Sequence, residues 1–289
     1  MKKTALVILA LVISFSFSVS GQEKRALLIG IGDYPAHSEW NKIHGDNDVE
    51  IIREWLIKND FNNENITSLI NNRATYDAII SSFEQLINCS QKGDIIYIQF
   101  SGHGQQITDI DGDEEDGWDE CWIPYDANKR YVDYEYTGYH HLSDDILFRY
   151  LTRLRNQVGN SGKIIVISDS CHSGGGSRSE DEFYRGTGDK FILPSDNTPH
   201  SDKPHSEKSV KWLYVAACKA YQTNYEYKSS DGDYCGRLTY IICHDESNYE
   251  KTPYNDVIKA WKKRMQEISK YPQAIEEEGQ PNKYSNTIF

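Results

Sequence analysis

KIIVISDSCHSGGG, residues 163–176, decides how the rest of the chain is read. Residues 164–168 are the β-branched, apolar run of a strand buried on both faces. The run stops in Asp169-Ser170-Cys171-His172-Ser173, and three glycines follow that accept backbone angles other residues avoid. A cysteine at the carboxyl end of a buried parallel strand sits where open α/β sheets hold their ligands. Cys171 is therefore a candidate nucleophile, and the remaining sequence can be searched for what such a nucleophile needs.

The pattern outward from this strand is β-α-β-α-β. Residues 24–31 form a first buried strand, 46–58 a helix capped by Asp46, 65–70 a short strand, and 75–89 a helix behind Thr75 as cap. Residues 94–100, DIIYIQF, are another buried strand, ending in Ser101-Gly102-His103-Gly104. Beyond an acidic loop (109–120), residues 121–125 and 131–136 are expected as a side hairpin, and 143–158 as an amphipathic helix. After the nucleophile strand come a strand at 210–216, a short apolar run at 237–244 that fits a helix, and a helix at 255–269. A last short strand is expected at 274–275.

Composition narrows the function classes. The 289 residues suffice for a large α/β domain, and the net charge of −13 makes nucleic acid and anionic membranes poor partners. Residues 1–21 combine Lys2 and Lys3, an apolar run too short for a membrane span, and small residues before Gln22. This is the pattern of a secretory signal, so the expectation is an exported protein, periplasmic or extracellular, with no stable membrane anchor. Six cysteines remain; Cys89 and Cys218 read as buried thiols, and Cys235 and Cys243 could pair.

A thiol is mostly protonated near neutral pH and needs a base. His103 ends its buried strand as Cys171 ends another, so neighbouring strands would bring both to one sheet edge. His172 is a decoy, because adjacent residues on an extended segment point to opposite faces. The N–H groups of Gly104 and Cys171 could hold the oxyanion of an acyl-transfer intermediate.

SGHG and DSCHSGG at the ends of two buried strands resemble the catalytic pair of clan-CD cysteine peptidases. DGDEEDGWDECWIPYD between them closely resembles type I metacaspases (peptidase family C14), as do Asp144-Asp145 opening the next helix and AACKAYQT at 216–223. The resemblance runs from about Arg25 to Gln280. It implies a caspase-like three-layer α/β/α sandwich with a six-stranded, mostly parallel sheet, and a single peptidase domain at 22–289. Its parts would be a large-subunit-like 22–176, a polar linker 177–208 and a small-subunit-like 209–289. It further implies hydrolysis of peptide bonds after Arg or Lys, calcium activation, self-cleavage at basic residues, no organic cofactor, and a monomer. In the segment 44–48 the family's pocket usually carries a cysteine, where Gly45 stands here.

By the match, Asp48 and Asp169 are the pocket acids, with Ser101 beside them. Asp169 lies two residues before Cys171 and shares its side of an extended segment; Asp48 alone could be a first-turn acid favoured by the helix dipole. Two carboxylates would attract a guanidinium and repel a substrate Asp. For calcium, Asp144 and Asp145 match best, with Asp116 and Asp119 as further candidates; the acidic loop itself is not an EF-hand, because Glu114 stands where that loop needs glycine. In the linker, Arg178, Arg185, Lys190, Lys203 and Lys208 are candidate self-cleavage positions. The competing readings are a catalytically silent caspase-like scaffold and an active peptidase with a caspase-type Asp preference.

Overall fold

A computed structural model describes residues 21–112, 114, 116–172, 182–194, 211–282 and 286–289. The expected signal at 1–21 lies outside the described residues except for Gly21, as do Arg178, Lys203 and Lys208 of the linker. No helix among the described residues is long and apolar enough to cross a membrane.

Six strands make the central sheet, in the order β11-β8-β7-β3-β1-β2. They are β1 (Lys24–Gly30), β2 (Ile66–Ile70), β3 (Ile95–Ser101), β7 (Lys163–Asp169), β8 (Leu213–Ala216) and β11 (Glu276–Gly279). All pair in parallel except β11, which runs antiparallel to β8. The alternation of side chains along these strands feeds two separate cores. Leu27, Ile29, Ile96, Ile98, Ile164 and Val166 pack with α2 (Tyr76–Cys89) and α3 (Asp144–Val158) on one face. Ala26, Leu28, Ile95, Tyr97, Ile165 and Ile167 pack with α1 (Gly45–Lys58), α4 (Arg237–Cys243) and α5 (Tyr254–Ile268) on the other. A sheet covered on both faces needs strands that are apolar throughout, and β3 and β7 are buried at every position. The expected α/β/α sandwich with its six-stranded, mostly parallel sheet is thus the observed one.

The expected cap Thr75 is present and accepts from Ala78 N, and Ser143 caps α3 by accepting from Ile146 N. Asp46 is not a cap. It lies inside α1, whose N-cap is His44, and accepts from Asn71 Nδ2.

The side hairpin differs from expectation. β5 (Trp118–Trp122) pairs with β4 (Gly104–Thr108) and with β6 (Leu142–Ser143) in a small antiparallel sheet. Residues 131–136 form only a single bridge, Val132 with Tyr136, around Tyr134 at φ 61°. The partner of β5 is thus the segment straight after His103, a non-local pairing that local alternation does not reveal. The last strand is shifted to Glu276–Gly279, since an edge position lets its glutamates face water while Ile275 stays buried. None of the six cysteines is paired in a disulfide, so Cys235 and Cys243 do not pair, and Cys89 is exposed rather than buried.

Candidate active site

Strand register brings the two motifs together. Ser101 at the end of β3 pairs with Asp169 at the end of β7, so His103 and Cys171 each lie two residues beyond paired positions on adjacent strands. The loops touch closely: a Cβ added at Gly104 would come within 2.6 Å of Cys171 O. Both residues are buried.

His103 Nε2 lies 2.8 Å from Asn41 O. A carbonyl only accepts, so Nε2 carries the proton and Nδ1 of the neutral ring is the basic nitrogen. Nδ1 is buried and has no hydrogen-bond partner. The ring stacks on Trp40 at 4.9 Å, and burial pushes its pKa down to about 4. Cys171 Sγ donates to Gln222 O at 2.7 Å, and Cys218 Sγ lies 3.5 Å from the same oxygen. Ile123 N donates to His103 O at 3.1 Å, whereas His103 N donates to Tyr34 Oη at 3.0 Å. The His103 carbonyl thus faces the β5 side, and the N–H of Gly104, opposite it in the same planar peptide, faces away from β5.

Beside this pair lies a pocket of three buried carboxylates, filled by the chain's own Arg185. Arg185 Nη1 donates to Asp48 Oδ2 at 2.5 Å and lies 3.6 Å from Asp169 Oδ1, while its Nε donates to Glu226 Oε1 at 3.1 Å. All four side chains are fully buried. Gly236 N donates to Asp48, and Asn224 Nδ2 and Thr239 N donate to Asp169; the one Thr239 hydroxyl proton is shared between Asp48 Oδ2 at 3.0 Å and Asp169 Oδ2 at 2.9 Å. Ser101 is buried nearby and accepts from Gln99 Nε2, which also donates to Thr239. Burial raises the pKa of Asp48; Arg185 opposes that and Asp169 adds to it. Burial likewise pushes Glu226 up, but Arg185 and His44 outweigh it, and the net shift is down.

The chain is similar to known proteins over much of this framework. The family model for the metacaspase, peptidase C14 domain matches residues 24–180. The chain belongs to the metacaspase family. Metacaspase-7 of Arabidopsis thaliana is 36% identical over 53% of this chain and 35% of its own length. Metacaspase-1A of Aspergillus fumigatus is 33% identical over 56% of this chain and 37% of its own. The chain thus spans little more than a third of the curated relatives it matches. Among solved structures, protein GSU0716 from Geobacter sulfurreducens superposes with a TM-score of 0.61 at 21% identity, covering 92% of this chain and 97% of that one, a likeness of fold.

In this metacaspase the Gly45 departure has a steric reason. A Cβ at Gly45 would come within 2.3 Å of Ser101 O and 2.7 Å of Ile31 O, so α1 starts directly against the strand ends. Of the expected linker sites, Arg185 fills the pocket, whereas Lys190 Nζ lies 3.9 Å over the Trp118 ring. His172 Nδ1 is buried, close to where a Cβ on Gly104 would lie, and has no hydrogen-bond partner. His141 is bonded to Tyr136 and Gln105 and His140 to Asp126, so the two adjacent rings diverge.

Among the acids expected to hold a cation, Asp119 is buried and its Oδ1 has no hydrogen-bond partner. Burial first, then the negative charges of Asp144, Asp109, Asp145 and Asp111, raise its pKa to about 8. Asp116 is exposed and accepts from Trp118 N, which makes it a turn residue. No three ligating side chains among the described residues already converge as a closed metal site. The donor set still suits a hard divalent cation: oxygen ligands, one of them orphaned, in a cluster that repels itself.

Sequence reasoning missed Glu226, Thr239, Asn224 and the Asn41 carbonyl. They arrive from distant segments and carry no motif; only the closing of the sheet edge reveals them.

Proposed function

We propose that this metacaspase domain is a cysteine endopeptidase that cleaves after arginine, and less readily after lysine, with Cys171 as nucleophile and His103 as base. The observation that carries the reading is Arg185. A basic side chain, entirely out of water, satisfies three carboxylates on a segment that passes directly over Cys171.

In the proposed reaction the Cys171 thiol gives its proton to His103 Nδ1 as sulfur attacks the scissile carbonyl carbon. The N–H groups of Gly104 and Cys171 take the negative charge that develops on its oxygen. His103 then protonates the departing amine, the C–N bond breaks, and an acyl-enzyme remains. Water, deprotonated by the same nitrogen, hydrolyses the thioester and restores the thiol. The Asn41 carbonyl keeps the ring in the tautomer this sequence needs.

The same contacts support self-cleavage between Arg185 and Gly186, which would free the pocket for other substrates. Glu226 favours arginine over lysine, since it bonds the Nε that lysine lacks. In Glu226→Gln the preference for Arg over Lys peptides should shrink by about tenfold or more, the worth of one charge-assisted hydrogen bond. An unchanged ratio would remove Glu226 from the reading. The whole proposal is tested with peptides ending in Arg, Lys, Asp or Leu, with calcium and with a chelator. Cleavage after Asp overturns the pocket, and no cleavage under any condition favours a silent scaffold.

Calcium would be held by Asp119 with Asp144 and Asp145. When bound, it supplies the positive charge that lets these carboxylates lie together beside the site. Asp119 carries a pKa raised from 3.8 to about 8, so the folded state binds its proton more tightly than the unfolded chain does. Stability should therefore fall as pH rises from about 4 to about 8. The melting temperature in chelator should drop across that window, calcium should restore it, and Asp119→Asn should flatten the dependence. A calcium effect undiminished in Asp119→Asn would place the cation elsewhere.

A monomer is the proposed state in solution. The sheet's edge strand β11 is Glu276-Glu277-Glu278-Gly279, and its negative charge opposes pairing with a second copy. Export is proposed from residues 1–21 alone.

A further inference from the structure

The segment carrying Arg185 lies on the protein as an added strand, and its contacts extend past the acidic pocket. Arg185 N donates to Asn224 O and Glu226 N donates to Phe183 O, both at 2.9 Å, and Tyr184 bridges Tyr225 in antiparallel fashion. These are main-chain bonds that any extended peptide can make, so selectivity must come from side chains. Residues two apart on a strand share a side, which sends Phe183 the same way as Arg185 and Tyr184 the opposite way.

Phe183 enters an aromatic clamp. Its ring meets His44 edge-on at 4.5 Å and 90°, and Tyr234 at 4.9 Å and 75°. The two clamp rings are stacked on each other at 4.9 Å. Both are anchored: Glu226 accepts from His44 N at 2.7 Å and bonds its Nδ1 at 2.6 Å, and Asn47 Nδ2 donates to Tyr234 O at 2.9 Å. Glu226 thus joins the clamp to the arginine pocket. On the other side of Arg185, Gly186 has φ 150°, and a Cβ there would approach Cys171 O to 2.1 Å. Glycine alone fits that position.

We infer that His44 and Tyr234 form a second specificity subsite that takes an aromatic side chain at the third residue before the cut. The substrate class is then a peptide that reads aromatic, any residue, Arg, with glycine after the cleaved bond. This rests on the acidic pocket reading arginine, as proposed above.

The test compares Phe-Tyr-Arg-Gly with Ala-Tyr-Arg-Gly peptides on the full chain, wild type and Tyr234→Ala. Two edge-on aromatic contacts correspond to about tenfold in kcat/KM, so the wild type should prefer the Phe peptide by about that factor. In Tyr234→Ala the ratio should fall toward one, and a ratio is not moved by a general loss of folded enzyme. Equal rates in the wild type, or a preference retained in Tyr234→Ala, overturn the clamp while leaving the arginine pocket standing. Cleavage of neither peptide overturns the pocket and the clamp with it.

Discussion

Cys171→Ala should leave the chain uncut at Arg185 and lower the cleavage of arginine peptides by about 10⁴-fold or more, the size of effect that follows loss of a covalent nucleophile. The wild type, incubated with calcium, should instead yield one fragment ending in Arg185 and one beginning with Gly186. The Arg185–Gly186 segment passes over Cys171, and His103 Nδ1 is buried without a hydrogen-bond partner. His103→Ala should behave alike, because without a base the thiol stays protonated. Intact-mass measurement of the wild type beside both variants reads the outcome. Fragments with the same ends in all three chains would mean that another peptidase makes the cut, and the dyad would lose its support.

The second large effect is expected in Arg185→Ala, made in the Cys171→Ala background so that no cutting intervenes. Arg185 is the cation facing Asp48, Asp169 and Glu226, all with side chains fully out of water. Removing one partner of a buried ion pair typically costs about 3–5 kcal/mol, because the remaining charge is left uncompensated. For a chain of this size that corresponds to a fall of roughly 10 °C in melting temperature near neutral pH. The sign with pH follows from Asp48, whose pKa is already raised by burial even with Arg185 present. Without the guanidinium it rises further, so the folded state takes up protons that the unfolded chain does not. The deficit should be largest above pH 7 and shrink as pH falls toward 5. Thermal unfolding at pH 5 and pH 7.5 checks both parts. An unchanged melting temperature at pH 7.5 would show that Arg185 does not reside in the pocket in solution.

The two predictions also separate two roles of one side chain. Uncut, Arg185 stabilises the fold by neutralising the pocket; once cut, its departure would leave the carboxylates ready for another arginine. A site that binds its own linker through main-chain bonds and a buried ion pair is closed until that linker leaves.

Much of this protein was legible from its residues. The runs at 94–100 and 163–169 are apolar without a break, which only a strand covered on both faces requires, and the sheet follows from that. The ends of those runs hold His103 and Cys171, and parallel pairing of equal-length strands puts both at one edge. Asp169 was legible for the same reason, being two residues from Cys171 on an extended segment. Thr75 and Ser143 announced their helices, because a hydroxyl before an apolar period satisfies free N–H groups.

What only the tertiary structure decided depends on pairing between segments far apart in sequence. Glu226 joins the pocket through a short strand, β9 (Glu226–Lys228), with no periodicity to mark it, and Thr239 and Gly236 reach Asp48 from the start of α4. β4 exists because β5 returns to it, not because of its own pattern. The choice of Arg185 among five basic linker residues is of the same kind: all five carry the charge, but only chain geometry aims one of them into the pocket. Residues 163–176 determined by themselves that a cysteine stands at the edge of a buried sheet. Which carboxylates gather beside it, and which arginine fills them, was decided by burial, since only the folded chain removes those charges from water and makes their pairing matter.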